Sequence, residues 1–323
     1  MKVLVTQNRR GIGDLIIFIP YIFYISEKLS TPVSLLVRKS CKASEILSKD
    51  KRVNEIIILD RDDKKKSGRH HGFFGIFNLI KDLKKKNFDR SYTFNSSARY
   101  AFIMKMSGIK QNYQYPLGEK KNQHIVKTAQ KFIYKNFNSE IDPTAILNPN
   151  KLSVEIAKKK YLFNDGAFHI LLGIGGSGPT KRIPIETYLR FIELISKKNN
   201  CKFYLGAGQN EVEQKLIDRI LESKFKGICV SLNKMTIADS IPVIKNCNLA
   251  ICNDTSFSHI SSALKIPTIV LMSDTPLIYG SYSSYMSPIL PEGISEVTHN
   301  TFGREKINAD EIFLKAQSIL KIV

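Results

Sequence analysis

The stretch KVLVTQNRRGIGDLIIFIPYIFYISEKLSTPVSLLV, residues 2–37, decides the fold. Its apolar run at 2–6 predicts a buried strand that ends in a polar turn containing two glycines. An amphipathic helix is predicted over about 14–29, Pro32 follows its end, and 33–37 predicts the next strand. A strand, a helix and a second strand joined this closely form the βαβ unit of a parallel sheet.

The same alternation continues along the chain in two halves. Further strands are predicted at 53–59, 90–94, 168–173, 202–205, 227–230, 249–252 and 268–272. Residues 110–124 are predicted to be irregular, and the polar stretch 138–151 is a candidate linker. The predicted fold is α/β, with two Rossmann-like domains at 1–150 and 151–323 that face a central cleft. The last helix, at about 310–322, is a candidate to pack back on the first domain.

Positive charge is concentrated in the first half of the chain. The sequence has 323 residues, 49 Lys+Arg and 29 Asp+Glu, for a net charge of +20; residues 1–160 hold 32 of the basic and 14 of the acidic residues. AT-rich coding yields many lysines but does not explain their concentration in one half. The asymmetry therefore predicts that this half faces a polyanion, whether nucleic acid, an anionic membrane surface or a phosphorylated substrate.

Three features predict a cytoplasmic protein. None of the five cysteines belongs to a C-x-x-C pair, which favours a reducing compartment. The first apolar run, at 3–5, is too short for a signal segment. The longest apolar stretch, at 15–25, contains Pro20 and falls short of the ~20 residues that a membrane-spanning helix needs. Peripheral contact with a membrane surface remains compatible with these features.

Ligands bind at the carboxyl ends of strands in open parallel sheets, so the loops there are the candidate sites. In the first half, Asp14 follows the glycine-containing turn after the first strand. A carboxylate at this place is suited to act as a general base toward a hydroxyl group. It is equally suited to cap the helix, where Asp is favoured.

Three loops of the second half are candidate sites, and the first of them is equally compatible with an ordinary strand–helix turn. The glycine-rich loop at 173–181 ends in Lys181, and backbone N–H groups with an ammonium suit phosphate. The sequence NDTSFSH at 253–259 predicts a helix N-terminus, which favours anions. Asp254 in this segment would repel phosphate and better suits sugar hydroxyls or helix capping, and a lone His259 on a helix is more often structural than catalytic. Glu211 follows a third strand. Its carboxylate is placed to accept hydrogen bonds from a ribose diol, and it is equally compatible with a solvated glutamate that stabilises the dipole of the next helix.

Several chemistries have no signature in the sequence. G-x-S-x-G, H-E-x-x-H and the protein-kinase motifs are absent. The D-x-D pattern at 60–62 lies in a lysine-rich loop and is a weak metal candidate, so no metal site is predicted. Interleaved basic and aromatic motifs typical of single-strand readers are also absent, which argues against nucleic acid as the partner.

Taken together, these motifs resemble the ADP-heptose:lipopolysaccharide heptosyltransferase family, glycosyltransferase family 9. The opening GIGDLIIFIP at 11–20 is similar to the family's "LGD…P" segment. The loop at 176–184 resembles its phosphate loop, which ends K-x-x-P. The segments DTSFSH at 254–259 and ALKIPT at 263–268 resemble its "DTG…H…A…G-P-T" signature.

The resemblance implies a GT-B enzyme that is inverting and metal-independent, with the acceptor bound by the first domain and the nucleotide-sugar by the second. It implies Asp14 as the general base and Lys181 as the group that stabilises the leaving diphosphate. The residues that it assigns to donor binding are Gly176, Ser177, Lys181, Glu211, Asp254, Thr255, Ser256 and His259. The nucleotide-sugar is a substrate, so no cofactor is expected.

The sequence departs from the family pattern at three places. Ser256 stands where the family has glycine, Ile183 where it has tryptophan, and MSDTP at 272–276 where it has F-G-x-T-x-P. The expected reaction is transfer of heptose from ADP-heptose to an inner-core lipopolysaccharide, a lipooligosaccharide or a related surface glycan. The alternatives are a nucleotide-sugar epimerase of the same fold and a glycosyltransferase with a different donor.

The acceptor is expected to be an anionic glycolipid or glycan bound by the positively charged first half. This division of roles is consistent with a cytoplasmic enzyme, with peripheral contact at the inner face of the cytoplasmic membrane. The same basic stretches are equally compatible with a solvated surface. The candidate acceptor-binding residues are Arg9, Arg10, Arg61, Lys64, Lys65 and Arg69.

Overall fold

The computed structural model describes residues 1–63, 65–117 and 124–322. They form two compact units, Met1–Pro143 and Thr144–Val323, each built on a parallel sheet flanked by helices. The division falls within the polar stretch 138–151 that the sequence marks as a linker. The predicted α/β class is confirmed.

The first unit contains the sheet that the opening βαβ segment predicts. Its strands and helices, in chain order, are β1 (Val3–Gln7), α1 (Ile12–Lys28), β2 (Val33–Arg38), α2 (Ala43–Leu47), β3 (Val53–Leu59), α3 (Phe74–Lys84), β4 (Arg90–Thr93), α4 (Ala98–Met106), β5 (Gln111–Gln114) and α5 (Ile125–Phe137). The strands run parallel in the order β3-β2-β1-β4-β5. Strand β1 is buried along its whole length, which explains the apolar run at 3–5, and its last two residues, Thr6 and Gln7, are buried polar side chains.

The second unit repeats this architecture. Its elements are α6 (Lys151–Lys160), β6 (Phe168–Gly173), α7 (Ile185–Ser196), β7 (Cys201–Gly206), α8 (Glu211–Leu221), β8 (Cys229–Ser231), α9 (Ile237–Lys245), β9 (Leu249–Asn253), α10 (Ser256–Ala263), β10 (Thr268–Leu271), β11 (Met286–Ile289) and α11 (Ala309–Leu320). The strands run parallel in the order β11-β10-β9-β6-β7-β8. The last helix, α11, buries Ile312 and Ala316 in the core of this unit.

Each sheet has a point where the strand order reverses. In the first sheet the chain moves outward from β1 in one direction and resumes at β4 on the other side of β1. In the second sheet the same reversal separates β6 from β9. Loops that leave the carboxyl ends of two such strands diverge, and the crevice between them is where ligands bind in sheets of this kind.

The sequence prediction missed three elements and misplaced one helix start. Strand β5 lies inside the stretch predicted to be irregular, and β11 and α6 had no predicted counterpart. Strands β5 and β11 each lie at the edge of a sheet. An edge strand is partly exposed to solvent, so the polar sequence QNYQ is tolerated in β5. Helix α1 begins at Ile12, earlier than predicted, and Gly11 occupies the N-cap position. Within the described ranges, no helix has the length and apolarity to cross a bilayer.

Candidate active site

The strongest candidate site lies at the reversal point of the second sheet, between the loops that follow β6 and β9. Lys181, at the end of the glycine-rich loop, donates from Nζ to Oδ2 of Asp254 at 2.8 Å. The Asp254 side chain is 6% exposed and that of Lys181 is 24% exposed. The structure therefore brings together two predicted site residues that lie 73 positions apart in sequence.

Asp254 is the centre of a buried polar network. Its Oδ2 also accepts a hydrogen bond from Thr275 Oγ1 at 2.7 Å, and its Oδ1 lies 3.6 Å from His259 Nε2. Burial by itself raises the pKa of Asp254, but the His259 ring and the Lys181 ammonium outweigh it and hold this pKa well below its usual range. The Asp254 carboxylate is therefore ionised at neutral pH and holds the Lys181 side chain beside it.

His259 connects this network to a second layer of side chains. Its Nδ1 lies 3.0 Å from the hydroxyl of Tyr282, and both residues are buried. This contact orients the ring whose other nitrogen faces Asp254. The placement fits the supporting role expected of His259, and it adds Tyr282, which no sequence motif had indicated.

Thr255 and Ser256 stand at the beginning of α10, directly after Asp254. Thr255 is the N-cap, and the Ser258 hydroxyl lies 3.4 Å from its backbone N–H. The first N–H groups of a helix have no partner inside it and carry the positive end of its dipole. This end of α10 can therefore attract an anion close to Lys181, as the sequence predicts.

The glycine-rich loop is held in place by side chains that the sequence prediction did not use. Asn253 donates through Nδ2 to the carbonyl oxygens of Ile174 and Gly175, each at 2.9 Å. Tyr188 donates to the amide oxygen of Asn253 at 2.7 Å and thereby fixes the orientation of this amide. The loop is thus tied to β9, and the position of Lys181 does not depend on the loop alone.

The far end of the same loop is also braced. Ser273 Oγ donates to the carbonyl of Thr180 at 2.9 Å, and Arg304 donates to that of Pro179 at the same distance. Gly176 is buried and its carbonyl accepts from Arg182 at 2.9 Å, whereas Ser177 is exposed. Of these two predicted donor-binding residues, only Ser177 is therefore accessible to solvent.

The two glutamates of α8 have different surroundings. Glu211 is 83% exposed and pairs with Lys215 at 2.9 Å on the helix surface. Glu213 is buried, and its carboxylate accepts from Gly208 N–H at 2.6 Å and from Asn210 Nδ2 at 2.8 Å. The role of Glu211 in ribose binding stays a prediction, while Glu213 is the carboxylate turned toward the loop after β7.

Asp14, the predicted base, lies in the first turn of α1 in the first unit. Its Oδ2 accepts from the backbone N–H of Gly11 at 3.1 Å, and its Oδ1 lies 3.4 Å from Arg9 NH1. The side chain is 25% exposed. The helix-capping interpretation is thus satisfied in part, since Asp14 holds the turn, and the exposed fraction leaves the carboxylate within reach of solvent.

Polar side chains gather at the reversal point of the first sheet. Asn8, after β1, accepts from Asn95 Nδ2 at 3.1 Å and donates to the Tyr100 hydroxyl at 3.3 Å. Gln7 is fully buried, and neither amide atom has a hydrogen-bond partner in the described part of the chain. Asn8, the half-buried member of this group, carries uncharged donors and acceptors that are chemically suited to sugar hydroxyls.

Two of the predicted acceptor-binding arginines converge on one acid. Arg10 lies 3.1 Å and Arg61 2.5 Å from the Asp63 carboxylate, and Arg38 completes the cluster at 2.7 Å. Burial by itself raises the pKa of Asp63, but the arginines outweigh it and lower this pKa to about 2. The buried Arg38 was missed because its partner, Asp63, lies 25 residues away.

The remaining cations of the predicted acceptor surface are exposed. Arg69 forms a two-pronged pair with Asp82 at 2.9 and 2.8 Å, and Arg9 faces Asp14 as described. Lys65 is exposed on the same loop, and Lys64 lies outside the described residues. In the described ranges, no three His, Cys, Asp or Glu side chains come together in a way that could hold a metal ion.

Two Rossmann-like units, each built on a parallel sheet, with a cation and a helix N-terminus at the reversal point of one sheet, are the architecture of GT-B proteins. The model of the family "Glycosyltransferase family 9 (heptosyltransferase)" matches residues 76–284. The chain therefore belongs to glycosyltransferase family 9 and is a glycosyltransferase. The resemblance stated from the motifs is confirmed.

Curated relatives are heptosyltransferases. Lipooligosaccharide heptosyltransferase 2 of Campylobacter jejuni subsp. jejuni serotype O:6 is 25% identical over 271 residues, which cover 82% of this chain and 79% of that protein. A shorter match to Lipooligosaccharide heptosyltransferase 2 of Haemophilus influenzae is 27% identical over 99 residues, covering 30% of this chain and 29% of that protein.

Solved structures with the same fold include family members. The glycosyl transferase family 9 protein from Veillonella parvula DSM 2008 has a TM-score of 0.77 at 15% identity, with 100% of this chain and 97% of that chain covered. E. coli heptosyltransferase WaaC with ADP-2-deoxy-2-fluoro heptose has a TM-score of 0.69 at 15% identity, with 98% and 99% covered. These similarities establish the GT-B fold.

Proposed function

We propose that this glycosyltransferase moves a heptose from ADP-heptose, with inversion and without a metal ion, to an inner-core lipopolysaccharide, a lipooligosaccharide or a related surface glycan. The observation that carries the proposal is the Lys181–Asp254 pair beside the N-terminus of α10. The names of the curated relatives and the ADP-sugar bound in one structural neighbour support the choice of donor and acceptor.

The donor diphosphate would lie between Lys181 and the first turn of α10. The Asp254 carboxylate is negatively charged and would repel a phosphate group. Its role is instead to hold the Lys181 ammonium in position. As the bond from the anomeric carbon to the diphosphate oxygen breaks, negative charge develops on that oxygen. Lys181 and the N–H groups of Thr255 and Ser256 stabilise this charge, a task for which other glycosyltransferases use a metal ion.

Asp14 would act as the general base. The acceptor oxygen attacks the anomeric carbon on the face opposite the diphosphate, while its proton passes to the Asp14 carboxylate. The diphosphate leaves with the bonding electron pair, so the reaction is a single displacement that inverts the configuration. The hydrogen bond from the Gly11 N–H and the contact with Arg9 orient the Asp14 carboxylate for this transfer.

The acceptor would be an anionic glycolipid at the cytoplasmic face of the membrane. Basic residues are concentrated in the first half of the chain, and the arginine cluster around Asp63 presents guanidinium groups that suit phosphate and carboxylate. Binding of donor and acceptor would therefore depend on different residues.

The proposal is tested by acceptor-dependent release of ADP from ADP-heptose, together with thermal-shift measurements on nucleotides. A ligand that binds only the native state adds about 2.7 kcal/mol to the free energy of unfolding when its free concentration is about 100 times its Kd. Stabilisation by UDP or GDP and not by ADP would overturn the choice of donor. Conversion of the nucleotide-sugar without any acceptor would indicate an epimerase instead.

The base assignment has its own test. Asp14→Asn should lower kcat by about 100-fold or more, because the amide cannot accept the proton, while ADP affinity stays unchanged. Asp310→Asn, which changes another first-turn aspartate in α11, is the matched control and should retain activity. Full turnover by the Asp14→Asn variant would rule out Asp14 as the base.

A further inference from the structure

Three aromatic side chains are exposed together at the start of α3. Phe73 is 69% exposed, Phe74 80% and Phe77 48%. The ring of Phe73 contacts both others, with centroids 5.9 Å from Phe74 and 5.2 Å from Phe77. Scattered single apolar residues are normal on protein surfaces, but a cluster of large aromatic rings is a mark of an interaction surface.

The same face of α3 carries lysines toward its other end. Lys81 follows Phe77 by one helical turn, and Lys84 and Lys85 follow by another. All three are exposed, and in the described part of the chain none is within ion-pair distance of an acid. The face of α3 that bears these three phenylalanines and three lysines is called the α3 face below.

The opposite side of α3 fixes its orientation. Leu79 and Leu83 are buried in the core of the first unit, in a cluster shared with Ile103 of α4. The α3 face is therefore directed to solvent by the packing of the helix and not by a flexible loop. Helix α4, in the same cluster, exposes Phe102 and Met106 one turn apart, which adds apolar surface on the neighbouring helix.

The turn before α3 is rigid. Arg99 donates to the carbonyl oxygens of His70 and Gly72, at 2.8 and 3.0 Å. The backbone at Gly75 approaches His70 so closely that a Cβ atom there would lie 2.2 Å from the His70 carbonyl carbon. The aromatic rings are thus presented on a fixed backbone, which lowers the entropy lost when they bind a partner.

We infer that the α3 face docks on an anionic lipid bilayer. Aromatic rings partition into the interface of a bilayer, and lysines next to them are attracted to anionic headgroups. Exposed rings at one end of a helical face and exposed ammonium groups at the other match this pair of requirements. The inference deepens the proposed function, since it rests on a membrane-borne acceptor and names the surface that would bring the enzyme to it.

The test is co-sedimentation of the full chain with vesicles of phosphatidylglycerol and phosphatidylethanolamine, without donor or acceptor. We expect binding that weakens with salt and is lost on phosphatidylcholine vesicles. The F73S/F74S/F77S variant should bind at least about tenfold more weakly. The L152S/I156S/L162S variant, which removes three exposed apolar side chains near the lysines of α6, should bind as the wild type does.

A second variant, K81Q/K84Q/K85Q, should lose the salt dependence and bind about 100-fold more weakly. Stabilisation by ADP in a thermal-shift measurement shows that each variant is folded and that the donor site is intact. Unchanged vesicle binding by the phenylalanine variant would overturn the inference that the α3 face docks on a bilayer and would leave the proposed function unaffected. Self-association of the wild type that this variant abolishes, with no lipid binding, would overturn it in favour of a second copy of the chain.

Discussion

Replacing Lys181 with methionine should destabilise the fold and weaken ADP binding at the same time. The side-chain stem is kept, but the buried Asp254 carboxylate loses its ammonium partner at 2.8 Å. Removing one member of a fully buried pair costs about 3–5 kcal/mol. Here Lys181 is 24% exposed and Asp254 keeps Thr275 and His259 nearby, so the expected loss is about 2 kcal/mol.

The effect on ADP follows from the charge that is lost. A hydrogen bond to a charged group contributes about 1.5–3 kcal/mol, which corresponds to a roughly 10- to 150-fold higher Kd for ADP. Urea unfolding at pH 7 gives the free energy of unfolding, and titration calorimetry gives the affinity. Lys215→Met is the matched control, because it removes an exposed lysine from its pair with Glu211 and should change stability by no more than about 0.5 kcal/mol.

Two results would refute the reasoning in different ways. Equal loss of stability in the Lys181 and Lys215 variants would mean that burial of Asp254 adds nothing to the strength of its pair. An unchanged Kd for ADP in the Lys181 variant would mean that this ammonium does not contact the diphosphate, whatever its effect on stability.

Three further predictions concern carboxylates. The pKa of Asp254 is lower in the folded than in the unfolded chain, so its stabilising contribution is present above the unfolded pKa of about 4 and is lost as the pH falls further. In urea unfolding, the stability difference between wild type and Asp254→Asn should therefore be largest near pH 7 and shrink below about pH 4; a difference that grows in acid would contradict this. Glu213→Gln should cost about 1–2 kcal/mol, because its carboxylate accepts from the Gly208 N–H. Glu211→Gln should leave stability unchanged and raise the Kd for ADP about tenfold if Glu211 binds the ribose; unchanged ADP affinity would remove it from the donor site.

The alternation of strands and helices could be predicted because it depends on local sequence. Strand β1 and helix α1 differ in the spacing of their apolar residues, and a glycine-containing turn separates them. The candidate loops could be located for the same reason, since they follow buried apolar runs. The order of motifs along the chain, from Asp14 to His259, then sufficed to recognise the family.

Edge strands and helix ends were harder to predict. Strand β5 consists of polar residues and exists because β4 offers its free edge, a partner that lies elsewhere in the chain. Strand β11 likewise pairs with β10 alone. Pairing of this kind depends on a neighbouring strand that is distant in sequence, so no local sequence pattern predicts it.

The sequence by itself determined the fold class and the family, and it indicated which chemical types stand in the candidate loops. Only the tertiary structure decided which of those groups are partners. It paired Lys181 with Asp254 across the reversal point, and it turned Glu213 inward while leaving Glu211 in solvent. The physical reason is that the ionisation and orientation of a side chain depend on burial and on neighbours from distant segments, which local sequence does not specify.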